Sequence, residues 1–287
     1  MNRTSGKSLL SSLDSRTLPY TPTYFQEGRV LCMGHPDLVP ALRKWTPVSR
    51  HSPMEGAVIH KERPNLILET DLSQSEEFPW QRQMVKQFKW RGLSLLWSPF
   101  RQSKALRSYL VACHLLRHGL LTPMPLGAVE CRRLGFVRYN MYVTEVLRDF
   151  MDLKKYRKHQ PHGREGMEQV IRMLADYVLR MHDSGLLHRD LNLTNFLFTN
   201  RAGEYSLYLV DLNRARFERN LNMQHRARDL SRLDLEQWQE LFFKSYCKNR
   251  FDAEKMLEMA SMRKTRRRSW RQAIKWTNPM RKKLGLK

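Results

Sequence analysis

Apolar residues recur along this chain with two different spacings, and the change falls near its middle. In the first half they form short runs bounded by turn residues. AVIHKERPNLILET at 57–70 predicts two short strands around Arg63-Pro64. After an acidic, polar loop at 71–82, QMVKQF at 83–88 predicts a third. A helix is predicted over 103–118, with Ala105, Tyr109, Ala112, Leu115 and Leu116 along one side and Gly119 and Pro123 stopping it. PLGAVECRRLGF and YNMYVTEVL predict two more strands that meet at a turn near Gly135, the second ending at Thr144-Glu145.

Beyond a polar stretch rich in His and Lys the period becomes helical. GMEQVIRMLADYVLRMH at 166–182 carries Val170, Ile171, Leu174, Tyr177, Val178 and Met181 at helical spacing, and Gly185 is placed to stop it. A polar loop follows, then a strand NFLF, a turn TNRAGE and a strand YSLYLVD. The remainder is helical and charged, and no internal repeat is present. This order predicts an α+β, bilobal fold: a small sheet-rich N-lobe, a larger helical C-lobe and a cleft between them. The expected boundaries are an N-terminal extension at 1–52, an N-lobe at 53–146, a C-lobe at 147–250 and a basic helical tail at 251–287. The extension is mixed and rich in Ser, Thr, Pro and Arg, with a short helix near Leu38–Trp45.

Charge narrows the choice of partners. The formal net charge of +23 over 287 residues favours polyanions: nucleic acid, anionic lipid or phosphorylated glycan. The aromatic residues show no interleaved stacking pattern, so nucleic acid ranks low. The tail RKTRRRSWRQAIKWTNPMRKKLGLK at 263–287 has no acid; Trp270, Ala273, Ile274 and Thr277 share a helical face before Pro279 interrupts. It reads as a basic helix on an anionic membrane surface, or as a solvated charged terminus or a contact with nucleic acid. Four separated cysteines (Cys32, Cys113, Cys131, Cys247) fit unpaired thiols in a reducing compartment. No apolar run approaches the roughly 20 residues of a membrane span, and the first residues lack a signal-peptide pattern. The expected location is cytoplasmic, or peripheral on a membrane's cytosolic face.

The chemistry concentrates in HRDLNLTN at 188–195, followed by Asp211 at the end of the apolar strand LYLVDL. Asp190 can accept the proton of an attacking hydroxyl. Asn195, five positions on, and Asp211 offer hard oxygen ligands to Mg²⁺ bridging nucleotide phosphates. Arg189 binds a phosphate beside Asp190 or holds the loop. An unpaired strand-end carboxylate would be costly to bury, and a metal ion compensates for that. Lys86, between Val85 and Phe88, fits a lysine that pairs with nucleotide phosphates; the alternative is a surface lysine near Lys89 and Arg91. Helix 103–118 has no acid to anchor it, which leaves Glu130 or Glu69 for that task. No G-x-G-x-x-G is present, and Gly56 is the only glycine near the first strand pair.

Together these residues resemble the kinases that phosphorylate inner-core sugars of bacterial lipopolysaccharide, the Kdo and heptose kinases. The resemblance covers about 55–245 and rests on VKQFKWRG around Lys86, SKALRSYLVACHLLRHGLLTPMPLGAVE at 103–130, HRDLNLTNFL, and VDLNRARF at 210–217. It implies a protein-kinase-like fold, ATP as donor, Mg²⁺, and a sugar hydroxyl of the lipopolysaccharide core glycolipid as acceptor. It also implies Asp190 as base, Asn195 and Asp211 as metal ligands and Lys86 as the nucleotide lysine. Leu212-Asn213 replaces the Phe-Gly of protein kinases, an A-P-E segment is absent, and Ser108 stands about where the family often has a helical glutamate. Two alternatives remain open: a kinase of another acceptor, protein or small molecule, and a catalytically weak kinase-like binding protein. Asp229, in RARDLSRL, is a candidate brace for the catalytic loop.

Overall fold

Short apolar runs and one long amphipathic helix sort this chain into two units. The computed structural model describes residues 18–44, 56–72, 78–89, 97–159, 162–201 and 204–283. Trp45 of the short helix expected near Leu38, residues 73–77 of the acidic loop and residues 90–92 of the segment around Lys86 lie outside that set. Unit 1 comprises Met1–Phe150 with Thr199–Ala215, and unit 2 comprises Met151–Phe198 with Arg216–Lys287. Residues 199–215, expected within the C-lobe, thus group with unit 1.

Unit 1 is built on seven strands: β1 (Thr23–Glu27), β2 (Val30–Gly34), β3 (Val58–Lys61), β4 (Leu66–Thr70), β5 (Gln83–Phe88), β6 (Pro125–Arg133) and β7 (Phe136–Glu145). They form one sheet in the order β1-β2-β6-β7-β5-β4-β3, antiparallel at every pair. The short helix α1 (Val39–Arg43) and the longer α2 (Lys104–Arg117) belong to the same unit. Strands β1 and β2 arise from a stretch expected to be an extension. Gly34 ends β2 where a Cβ would overlap the carbonyl oxygen of Leu126 on β6, so close pairing there demands glycine.

Strand alternation decides where Lys86 goes. Val85 pairs with Val143, and both enter a core with Leu68, Val129 and Met141. Lys86 pairs with Tyr142 and therefore faces the other side. That side carries Asn140, whose Oδ1 accepts the Ala105 amide of α2 at 3.1 Å. Ser103 caps α2, its Oγ accepting from the Leu106 amide at 3.2 Å, a contact worth about 1 kcal/mol.

Unit 2 begins with β8 (Met151–Asp152) and α3 (Leu153–His159). The long helix α4 (Gly163–Asp183) follows, then the short strand β9 (Leu186–Leu187). The start of β10 (Phe196–Arg201) pairs with β8, whereas its end and β11 (Glu204–Leu209) fall in unit 1. Strand β12 (Arg216–Phe217) pairs with β9. Helices α5 (Met223–Leu230), α6 (Gln239–Cys247) and α7 (Ala253–Lys283) complete the unit. The periodic face of α4 is buried as its spacing demanded: Ile171, Leu174, Val178 and Met181 have no exposed surface. Each such side chain contributes about 1.5–3 kcal/mol of burial. Helix α6 packs along α4, and α7 packs on α5 and α6. Helical backbone continues through Pro279, where the sequence predicted an interruption; proline removes one ladder donor near the helix end without unwinding it here. Among the described residues, no helix is long and apolar enough to cross a membrane.

Candidate active site

Short β9 delivers the chain into the polar loop, and Asp229 on α5 holds the loop's first turn. Its Oδ2 accepts the His188 amide at 2.8 Å and its Oδ1 the Arg189 amide at 2.8 Å. Arg189 lies in the left-handed region at φ 63°, which costs a non-glycine residue on the order of 1–2 kcal/mol. Two hydrogen bonds to a buried carboxylate offset that strain. The carbonyl of Asp190 then accepts two side-chain amides, Asn192 Nδ2 at 3.0 Å and Asn195 Nδ2 at 2.9 Å. The five-residue spacing therefore has a geometric reading: Asn195 reaches back to tie the loop at Asp190. With Nδ2 so committed, the amide oxygen is the atom that Asn195 offers to a ligand. Arg232 Nη1 donates to Asp190 Oδ1 at 3.1 Å.

Behind the loop runs a buried relay. His182 Nε2 lies 3.4 Å from Asp229 Oδ2, and its Nδ1 lies 2.7 Å from the Tyr246 hydroxyl. Arg226 Nη1 donates to the same hydroxyl at 3.1 Å. The Asp229 carboxylate can only accept, so a neutral His182 carries its proton on Nε2, and Tyr246, which accepts from Arg226, gives its own hydrogen to His182 Nδ1. Both contacts fix that tautomer, its proton facing Asp229. Burial holds the His182 pKa below the ordinary imidazole value, against the opposing Asp229 carboxylate. Burial would raise the Asp229 carboxyl, but the donors from His182 and His188 outweigh it and keep the group below the usual carboxylate range.

The sign of the pH effect follows. A folded-state pKa below the unfolded one means that the unfolded chain binds the proton first. Stability from neutral His182 is complete above the unfolded value of about 6.5 and declines as pH falls through it. The urea midpoint should drop between about pH 7.5 and about pH 5.5, and drop less in His182→Gln. Equal drops in both proteins would exclude this histidine as the cause.

In unit 1, β11 leads to Asp211, also left-handed at φ 63°. The strand end is fastened by Leu209, whose amide donates to the Leu121 carbonyl at 3.0 Å and whose carbonyl accepts from Thr122 Oγ1 at 2.7 Å. Asp211 Oδ1 meets Lys86 Nζ at 2.5 Å and also accepts Asn213 Nδ2. Arg107 of α2 donates to the Asn213 carbonyl at 3.2 Å. More cations gather here than the sequence suggested. The pKa of Lys104 is depressed, first by burial, then by Arg214, Lys86 and Arg107, with Asp211 opposing. Such a field favours an anion.

The acid beside Lys86 is thus Asp211, neither Glu130 nor Glu69. Glu130 accepts the Ser103 amide at 3.1 Å and pairs with Arg132, so it secures the start of α2. Glu69 is held by Arg148 at 2.5 Å, Arg82 at 3.2 Å and His60 at 3.2 Å. Ser108 donates to the Lys104 carbonyl at 2.8 Å, as a helix-internal hydroxyl does. Arg232 and Lys104 carried no motif and were missed; Arg232 stands three residues after Asp229 in RARDLSRL.

A family model described as the lipopolysaccharide kinase (Kdo/WaaP) family matches residues 80–250. A solved structure entitled "WaaP in complex with acyl carrier protein" is similar with a TM-score of 0.50 at 19% identity, covering 72% of this chain and 86% of that one. At that identity the likeness concerns the fold: mixed α and β, sheet-rich at the N-terminal side and helical at the C-terminal side.

Proposed function

The chain belongs to the lipopolysaccharide kinase (Kdo/WaaP) family, and from that premise we propose that it phosphorylates an inner-core sugar, Kdo or heptose, through Asp190. As a member it is a phosphotransferase acting on a sugar hydroxyl, with ATP as donor. The observation that carries the residue-level reading is the fastening of Asp190. Its backbone is tied by Asn192 and Asn195, and its carboxylate is oriented by Arg232 at 3.1 Å. A carboxylate so held can accept a hydroxyl hydrogen bond in one direction. The acceptor oxygen attacks the γ-phosphorus and its proton passes to Asp190. The bond from that phosphorus to the β-γ bridging oxygen breaks, and ADP leaves.

Lys86 would face the nucleotide phosphates, within the positive field of Lys104, Arg107 and Arg214. Glu130, first a candidate for the nucleotide site, acts instead on the helix start beside it. Asn195 in unit 2 and Asp211 in unit 1 are each proposed as a ligand to Mg²⁺. Their donor atoms fit, since an amide oxygen and a carboxylate are hard ligands. When bound, the ion supplies charge neutralisation on phosphate oxygens.

The acceptor is a glycolipid, so we place the protein peripherally on an anionic, cytosolic membrane face, with α7 as the contact. Met262 and Trp270 are exposed on that helix, 58% and 67%, beside a run of arginines.

The test uses core glycolipid extracted from cells lacking this protein, incubated with ATP and Mg²⁺. Mass spectrometry should find added phosphate on an inner-core sugar, and fragmentation will assign it to Kdo or to heptose. No transfer to core glycolipids of several structures would overturn the reading.

A further inference from the structure

Arginines crowd the backbone around Asp190 in unit 2. The register of β12 on β9 sets Arg216 opposite Leu187, two residues before Arg189. Arg189 hangs by its amide from Asp229 at 2.8 Å. Arg228 precedes Asp229 on α5. The Arg232 amide donates to the Asp229 carbonyl at 3.2 Å, and its guanidinium returns to Asp190 at 3.1 Å. One short scaffold therefore carries four guanidinium groups.

Their charges are poorly matched by acids. The Asp229 carboxylate is buried and spent on two amides and His182. Asp190 takes Arg232, and Glu218 lies 3.8 Å from Arg216, too far for a good hydrogen bond. Among the described residues, no hydrogen bond or ion pair engages the guanidinium groups of Arg189 and Arg228, and both residues are exposed. Arg189 feels the crowding: its pKa is lowered by partial burial first, then by Arg228, Arg216 and Arg232, with Asp229 opposing. A solvated surface would let such side chains separate. Here backbone hydrogen bonds hold them together, and one is held in a strained conformation.

We infer that Arg189, Arg216, Arg228 and Arg232 form a binding site for an anionic group, a carboxylate or a phosphate ester, carried by the acceptor glycolipid near its reacting hydroxyl. This rests on the reading of Asp190 as the residue that meets that hydroxyl. Guanidinium groups match both anions through paired N–H donors. The site would admit acceptors that carry the anion and disfavour neutral glycans, which leave the guanidinium charges unmatched.

The experiment measures binding without turnover. The full chain is titrated calorimetrically with delipidated core oligosaccharide in three forms: native, carboxyl-reduced and dephosphorylated. Wild-type protein should bind one neutralised form about tenfold more weakly than the native form, a difference of about 1.4 kcal/mol. Which form is weakened identifies carboxylate or phosphate as the source. Arg228→Gln and Arg216→Gln should weaken native binding and shrink that discrimination to about twofold or less. Both positions are exposed, and a thermal melt checks that each variant is folded. Equal wild-type affinity for all three forms would overturn the inference. So would variants that weaken binding to all three equally. Failure of phosphoryl transfer would count against the reading of Asp190 alone, since the titration involves no transfer.

Discussion

Asp190→Asn is expected to lower kcat for phosphoryl transfer by about 10²–10⁴-fold while the protein stays folded. The substitution is nearly isosteric. The amide oxygen can still accept from Arg232, which now reaches Asp190 Oδ1 at 3.1 Å. The backbone carbonyl still accepts Asn192 and Asn195. What is lost is the capacity to take a proton from the acceptor hydroxyl. A loose, metaphosphate-like transition state asks little nucleophilic push, so the residual rate should not be zero. On the proposed mechanism Lys86 and Asn195 keep their roles in the variant, so KM for ATP should change far less than kcat. A variant retaining more than about a tenth of wild-type kcat would remove Asp190 from the role of base.

The fold of the polar loop at 188–195 was legible in the sequence because its interactions are local. Asn192 and Asn195 act on Asp190 within five residues, so spacing alone describes the geometry. The same holds for elements governed by period. β5 begins and ends at Gln83 and Phe88 as its apolar run does, and the spacing of Val170, Ile171 and Leu174 gave the buried face of α4. Partners distant in the chain were not legible. Lys86 and Asp211 are 125 residues apart, and the pairing depends on a strand end fastened to Leu121 and Thr122. Sequence offered Glu130, on the next strand along the chain, beside Glu69; in the sheet β7 separates the Glu130 strand from that of Lys86. Sequence could not show that the Ser103 amide and Arg132 already claim Glu130. β1 and β2 were hidden for another reason. The β1 burial pattern is largely exposed, as suits an edge strand, so TYFQE carries little alternation to read. Asp229 was suspected from context, but only the fold shows how much depends on it.

That dependence makes Asp229→Asn the change with the largest expected cost in stability. Three N–H groups converge on this carboxylate: His188 and Arg189 amides at 2.8 Å and His182 Nε2 at 3.4 Å. An asparagine offers one acceptor oxygen and turns an NH₂ toward at least one of those donors. Rotating the amide only changes which donor is abandoned. His182 cannot adapt, because the Tyr246 hydroxyl, itself held by Arg226, already occupies its Nδ1. A buried donor left unmatched beside a lost charge costs about 3–5 kcal/mol. A domain of this kind has only about 5–15 kcal/mol to lose. The left-handed Arg189 would lose the bond that offsets its strain, so the loop should relax before the unit unfolds. Asp190→Asn and Asp229→Asn then separate by temperature. The first should be inactive at every temperature at which it is folded. The second should regain part of its activity on cooling, when the loop re-forms, and should unfold at much lower urea than wild type. A loss of less than about 1 kcal/mol in Asp229→Asn would mean that the loop holds its shape without this carboxylate.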